Sequence, residues 1–429
     1  MIRSRKLAAL GVAAATVTPL CASGAAGAST IPEEELNAWA LDYTGGTTGE
    51  ATGDPIRFGY ANAEALLPEA TVGLRAAVAY VNAELGGVRG RPIEVVECQV
   101  NSPEDGAGCG AQFANDDSIT LVLTGTLLQG NAEFYEAING NKPLLIGNGL
   151  AVEDFVTPAG VSYTAGATGT VAGLAKFTIE TLQPESVAVV NVDNAGGNAA
   201  ANVLIKPAMD AAGISTTIVA VAETATAPDI ASAMEAAGAR EADVFILLTT
   251  IQGCINAYDS IQSLGIDPVV VTTGLCYGTP MIQHMEDIDA EGDFPDGWYY
   301  GGYGYNYFEP DLESGLATYI AKVFEYGEPS AGASEIEYTG FAGPTFYNVM
   351  TAVKLLNGVG DDLSFEAVDA ALRGFTGPMM GQAGPIQCGL PPFVASCGHQ
   401  MGIQQYIDGE WVSIADGLNG EPVDVTPEG

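Results

Sequence analysis

The stretch DPIRFGYANAEALLPEATVGLRAAVAYVNAELGGVRGRPIEVVEC, residues 54–98, decides the fold. It opens on a strand pattern at residues 56–60, breaks into a polar loop at 61–69, and then sets Val72, Ala76, Ala79, Tyr80 and Leu85 on one face of a helix. Gly86 and Gly87 stop that helix where a left-handed residue is needed, and Arg91-Pro92 leads into a denser strand at 93–97. The result is a strand-helix-strand unit. In an open parallel sheet such a unit puts the loop after its first strand at the carboxyl edge, where ligands bind. Function is therefore expected in residues 62–68 and their counterparts further along.

Working outward, the same alternation continues. Helix at 103–115, strand ITLVLT at 119–124, helix through Ile138 and strand PLLIG at 143–147 complete a first α/β lobe, its β-branched apolar runs fitting strands covered on both faces. A crossover at 166–170 and a helix at 171–182 lead into a second series, with strands at 186–192, 216–222, 242–248 and 268–272 and helices between them. The fold class is thus α/β, with two doubly wound Rossmann-like lobes, which a chain of 429 residues readily accommodates. WYYGGYGYNYF, residues 298–308, reads as a strand returning the chain to the first lobe, its aromatics packing in the hinge and core. Helices follow at 312–326, 343–357 and 364–373. The remainder, from Met379 through 404–407 and 411–414, reads as short strands closing the second lobe.

Acids outnumber bases 53 to 14, a formal charge of -39 that repels nucleic acid and anionic membrane surfaces. Arg3, Arg5 and Lys6, an apolar run at 7–20 and the small residues 26–28 make the three parts of an export signal, residues 1–28. Its removal takes three positive charges and no acids, leaving -39 minus 3, or -42. Residues 29–53, acidic and rich in Thr and Gly, read as a flexible tether or tail. Thr18, Pro19 and Leu20 lack the small residue a lipoprotein site wants just before its cysteine, which favours secretion over a lipid anchor on Cys21. The protein is expected outside the cytoplasm: extracellular, periplasmic or at the cell surface.

Six cysteines follow the leader in three local couples, read as disulfides formed after export: Cys98 with Cys109, Cys254 with Cys276, and Cys388 with Cys397. A zinc site is the competing reading, and the absence of CxxC spacing with only His284 and His399 available argues against it. Asp287, Asp289, Glu291 and Gly292 begin like a calcium loop, but Trp298 stands where the closing Glu belongs. No GxSxG, GxxxxGK[ST] or HExxH occurs, and residues 301–304 lack the following helix that dinucleotide binding requires. A non-enzyme without metal or cofactor is expected, with an extracellular hydrolase recognisable only by turnover.

PIRFGYANAE, AAVAYVNAELGG, GRPIEVVEC, the CINAYDSIQSLGIDPVVVTTGLC block and the returning aromatic strand together resemble the type I periplasmic binding proteins, from residue 54 to the C-terminus. Within them the chain is similar to the branched-chain-amino-acid-binding branch, solute-binding components of ABC importers, in the disulfide-bearing form common in high-GC Gram-positive bacteria. The resemblance implies two lobes joined by a three-crossover hinge, closing on one small ligand that a permease then receives. The N-terminal lobe would take residues 54–166 and 302–376, the C-terminal lobe 167–301 and 377–429, in a monomer. A sensory or regulatory module on the same fold is the alternative.

Amino-acid binders of that branch hold the ligand carboxylate with hydroxyls and backbone N–H groups after the third and fourth strands, where this chain has Leu127, Leu128, Gln129 and Gly130, then Asn148, Gly149 and Leu150. They grip the ammonium with an acid from the second lobe, where this chain has Gly274, Leu275, Cys276 and Tyr277. The amino-acid pattern is not met. The strand-end loops instead offer Asn62, Glu64, Gln129, Asn148, Asn194, Gln252 and Tyr277, beside Leu128 and Gly149. Amides both donate and accept, which suits a neutral polar solute. Beyond the leader stand 14 minus 3, or 11, Lys and Arg, none in these loops, so the ligand is expected to be neutral or cationic.

Overall fold

The computed structural model describes residues 31–290, 292–302, 311–327, 340–382, 384–415 and 422–427. The expected leader with Cys21 lies outside these residues, as do residues 303–308 of the aromatic stretch. The chain opens with helix α1 (Glu33–Thr44). It then lays down β1 (Ile56–Asn62), α2 (Glu69–Glu84), β2 (Ile93–Gln99), α3 (Pro103–Ala114), β3 (Ile119–Thr124), α4 (Asn131–Ile138), β4 (Leu144–Ile146), α5 (Glu153–Val156) and β5 (Val161–Ser162). These five strands form one wholly parallel sheet in the order β2-β1-β3-β4-β5.

The alternation within each strand explains why the runs are apolar throughout. Phe58, Tyr60, Leu121, Leu123 and Leu145 point into one core with α2, while Ala61, Ile119, Val122, Leu144 and Ile146 point into a second core with Phe113 of α3 and Phe134 of α4. Both faces are buried, and each such aliphatic or aromatic side chain contributes about 1.5–3 kcal/mol.

After β5 the chain enters α6 (Gly166–Phe177) and builds β6 (Ser186–Val192), α7 (Ala195–Ala199), α8 (Lys206–Ala212), β7 (Ser215–Val221), α9 (Ala227–Ala237), β8 (Val244–Leu248), α10 (Ile251–Leu264), β9 (Val270–Thr273), α11 (Thr279–Asp287) and β10 (Tyr299–Gly302). Helices α12 (Leu316–Tyr326), α13 (Ala342–Val359) and α14 (Phe365–Arg373) follow, and α12 and α13 pack on α2 of the first sheet. Strands β11 (Gln400–Ile407), β12 (Glu410–Ala415) and β13 (Val423–Asp424) finish the second sheet, in the order β12-β11-β10-β9-β8-β6-β7 with β13 beside β11. Its β6 to β10 are parallel to one another, whereas β11 and β12 run antiparallel. Val187 and Val189 face α6 and α8 while Ala188 and Val190 face the opposite core, the same two-sided burial. Each sheet with its helices forms a lobe.

Two expectations are corrected. Residues 33–44 of the expected tether are a helix: Leu36, Ala40 and Tyr43 recur on one face and are buried, Tyr43 accepts from the Met380 N–H at 2.9 Å and bonds Thr351 Oγ1 at 2.8 Å, and Trp39 stacks on Tyr43. Three acids in its first turn suit a helix N-terminus rather than marking a frayed arm. The segment before β11 also does not close the second sheet. Met380 reaches Tyr43, Ala395 bonds Phe155, and Cys397 N donates to Ser162 O at 2.8 Å, so residues 379–397 lie along the edge of the first lobe. Only β11, β12 and β13 join the second.

Gly73 of α2 shows how closely the helices approach. A Cβ there would overlap the Ala342 carbonyl of α13, so only glycine permits this crossing. Gly86 and Gly87 have φ of 70° and 65°, the left-handed stop expected after α2.

Candidate functional site

Two short connections fix where the lobes meet. From Ser162 at the end of β5 the chain passes into α6 at Gly166, and α6 packs on β9, β10 and β11 of the second sheet. On the way back, Ser396 pairs with Ser162, and six residues later Gly402 stands opposite Gly302, the last residue of β10. Both connections leave from carboxyl ends of parallel strands. The loops after β1, β3 and β4 on one sheet and after β6, β8 and β9 on the other therefore lie at the edges that face the junction, where open α/β sheets bind ligands.

In the first lobe these loops are tied to one another. Asn62 Oδ1 accepts the Thr126 N–H at 3.0 Å, and its Nδ2 reaches Leu67 O at 2.9 Å, Glu64 Oε2 at 3.1 Å and Thr71 Oγ1 at 3.2 Å. Glu64 also accepts from Thr71. Asn148 is buried, its N–H donating to Gly125 O, and at Gly149 a Cβ would crowd the Phe155 ring. Gln129 donates to Asn101 O, outward toward α3, while Leu128 beside it is exposed.

In the second lobe Asn194 caps α7, accepting from Gly197 N at 2.8 Å and donating to Glu223 at 2.6 Å. Gln252 is exposed and bonds Asn256 of its own helix at 3.1 Å. Tyr277 is buried against Tyr300 and Trp411, and burial lifts its phenol to about 12. The amides of Asn62, Gln129 and Asn194 take part in hydrogen bonds that hold these loops in shape.

Sequence reading missed two features. Asp154 is buried and accepts four hydrogen bonds, from Asn131 (2.7 Å), Tyr135 (2.6 Å), Leu150 N (2.9 Å) and Ala151 N (3.0 Å), which pin the loop after β4. Burial raises its carboxyl above the ordinary value, and these hydrogen bonds oppose that rise without cancelling it. The only sequence signal was an acid in the first turn of a short helix. The second feature is that Leu128, already expected on the ligand side, has exposed aliphatic company on these loops: Leu66 and Val152 in the first lobe, Ile251 and Leu275 in the second.

All three expected cysteine couples are joined. Cys254–Cys276 ties the first turn of α10 to the turn after β9, so it holds Ile251 and Leu275 on one rigid unit. Each of the eleven Lys and Arg beyond residue 28 sits off these loops. Arg57 and Lys142, for example, bond Ser118 and Asp116 O near the amino edge of β3, and Lys206 pairs with Asp210 on α8. Among the described residues one acid cluster, Glu33, Glu84 and Glu325, is dense enough to hold a metal, and the Lys322 ammonium occupies its centre at 2.8–3.2 Å from all three.

A cavity of about 450 Å³ lies beside the two connections, bounded by Phe155, α6, residues 396–399 and the tail at 424–427. Two of its polar groups are engaged: Lys176 donates to Asp424 O at 3.0 Å and His399 contacts Gln387 O at 2.8 Å.

The sequence profile of the periplasmic binding proteins matches residues 61–407, which spans both sheets. The chain belongs to that family. Solved structures share the fold at low identity. The branched-chain amino acid transporter substrate-binding protein LivJ of Streptococcus pneumoniae, in complex with isoleucine, is 16% identical with a TM-score of 0.63, covering 86% of this chain and 100% of its own. An ABC transporter solute-binding protein of R. palustris, in complex with 4-hydroxybenzoate, is 15% identical with a TM-score of 0.65, covering 87% and 98%. A fatty acid ABC transporter substrate-binding protein of Thermomonospora curvata is 15% identical with a TM-score of 0.62, covering 88% and 96%. No curated protein matches the chain in sequence. Among the described residues of this periplasmic binding protein, no helix is long and apolar enough to cross a membrane.

Proposed function

We propose that this protein is an extracytoplasmic, monomeric solute receptor that closes two lobes on a small neutral or cationic molecule and hands it to the permease of an ABC importer. The observation that carries this reading is the pair of short connections, residues 162–166 and 396–402, that join the two sheets at the carboxyl ends of their parallel strands. A ligand touching loops of both sheets stabilises the closed arrangement by its differential affinity, which lets a permease tell loaded from empty protein. The proposed lobes are 54–166 with 302–376 and 167–301 with 377–429, amended so that α1 and residues 379–397 travel with the first. Leu128, Gly149 and the loop preceding Tyr277 are proposed to meet the ligand, with Asn62, Glu64 and Asn148 positioning it through the loop backbone. The absence of cations from the loops favours a ligand that carries no negative charge.

Native mass spectrometry of the exported protein, followed by small-angle scattering with and without the co-purified compound, tests this. The expected result is one bound small molecule and a smaller radius of gyration when it is present. Chemical turnover of that molecule, or an unchanged radius, would overturn the reading.

A further inference from the structure

We infer that the solute this receptor takes is an apolar molecule without an amino-acid head group, gripped by aliphatic side chains from both lobes; this rests on the receptor function proposed above. Five of the thirteen exposed large apolar side chains among the described residues, Leu66 (65% exposed), Leu128 (42%), Val152 (56%), Ile251 (39%) and Leu275 (41%), stand on loops at the carboxyl edges. Most of the others, such as Val203, Phe324 and Phe365, are scattered one to an element, which is ordinary for a protein surface. Three of the five stand on carboxyl-edge loops of the first sheet and two on those of the second, so a ligand seated between the two edges would take them out of water.

Three further observations fix the chemistry. The backbone holds the set rigidly: Ala63 N donates to Thr126 O and Asn148 N to Gly125 O, which ties Leu66, Leu128 and Val152 together, and Cys254–Cys276 ties Ile251 to Leu275. The amides of Asn62 and Asn194 on these loops are engaged in the scaffold itself, so they are poorly placed to pair the several hydroxyls of a sugar or polyol. No Lys or Arg stands on the loops to neutralise a carboxylate, and the acid nearest the edge of β1, Glu64, is already bonded to Asn62 and Thr71. A neutral or singly cationic molecule with an aromatic or aliphatic body satisfies all three.

The test is titration calorimetry with indole, 4-methylphenol and tryptamine against glucose, myo-inositol and isoleucine, repeated on Leu128→Ser and Leu275→Ser, with scattering at saturation. At least one of the first three should bind more than tenfold tighter than any of the second three. Each variant should weaken that binding about tenfold, because each removes one leucine contact from a different lobe. Both leucines are exposed, so the thermal midpoint of the unliganded variants should stay unchanged. Tight binding of glucose, inositol or isoleucine, with both variants unaffected, overturns the apolar assignment while closure by that solute leaves the receptor reading standing. An effect confined to one variant overturns the two-lobed grip. Absence of binding with all six overturns the apolar assignment, while the receptor reading is decided separately by scattering with the co-purified compound.

Discussion

Lys322 carries its charge in a place water scarcely reaches, with 1% of its side chain exposed and three carboxylates, Glu33, Glu84 and Glu325, around the ammonium. Burial alone would lower its pKa, yet the hydrogen bonds to Glu325 and Glu84 outweigh that and leave it raised. Glu84, only partly buried, is lowered below its ordinary 4.5: burial pushes it up, and the bonds from Lys322 and Tyr326 overcome the push. Removing the cation strands Glu84 in a partly desolvated site, so Lys322→Met should cost about 3 kcal/mol in denaturant unfolding. A variant as stable as the parent would show that the cluster is solvated in solution. The pH dependence follows with its sign. The Glu84 contribution is complete above its ordinary value and is lost as pH falls through the lowered one, whereas the Lys322 contribution is complete below 10.5 and is lost as pH rises through the raised one. Unfolding free energies measured between about pH 3 and pH 7 should therefore fall at the acid end less steeply in Glu84→Gln than in the parent. At this scale the sequence is least legible for amides. Asn62 and Asn194 stand on the loops they were expected to occupy and bond within them, and nothing in the order of residues says which amide a loop uses for itself.

Helix α1 shows the same difficulty at the level of elements. Its buried residues Leu36, Ala40 and Tyr43 follow helical spacing, but the stripe is narrow and lies between three acids and a Thr/Gly-rich exit, which reads as tail. The strands were legible for the opposite reason: burial on both faces writes apolar runs too dense to mistake, and β3 and β6 fall on the expected residues 119–124 and 186–192. The two-residue β5 left no such run, although the first connection starts from it. Because Tyr43 bonds both Thr351 and the Met380 N–H, Tyr43→Phe should lower stability by about 1 kcal/mol and loosen amide protection in α1 under hydrogen exchange. At the α2–α13 crossing, Gly73→Ala must push the helices apart and should cost about 2 kcal/mol, read from the denaturant midpoint. Replacing Cys254 and Cys276 together by Ser should cost about 2–4 kcal/mol and weaken ligand binding besides, since that bridge sets the spacing of Ile251 and Leu275. Unaltered affinity would mean that the α10 turn holds its place without the bridge.

For the whole molecule, what matters is which parts are joined by covalent bonds and which are not. Cys98–Cys109 runs between β2 and α3, Cys254–Cys276 between α10 and the turn after β9, and Cys388–Cys397 within the segment along the first lobe's edge. Not one of the three spans from one sheet to the other. An oxidising milieu can thus stiffen each half like a riveted plate while the pivot between the plates stays unlocked. Under the proposed closure, full reduction should lower the melting midpoint yet leave the amplitude of contraction at saturating solute the same, which would insulate that stroke from the redox state of the surroundings.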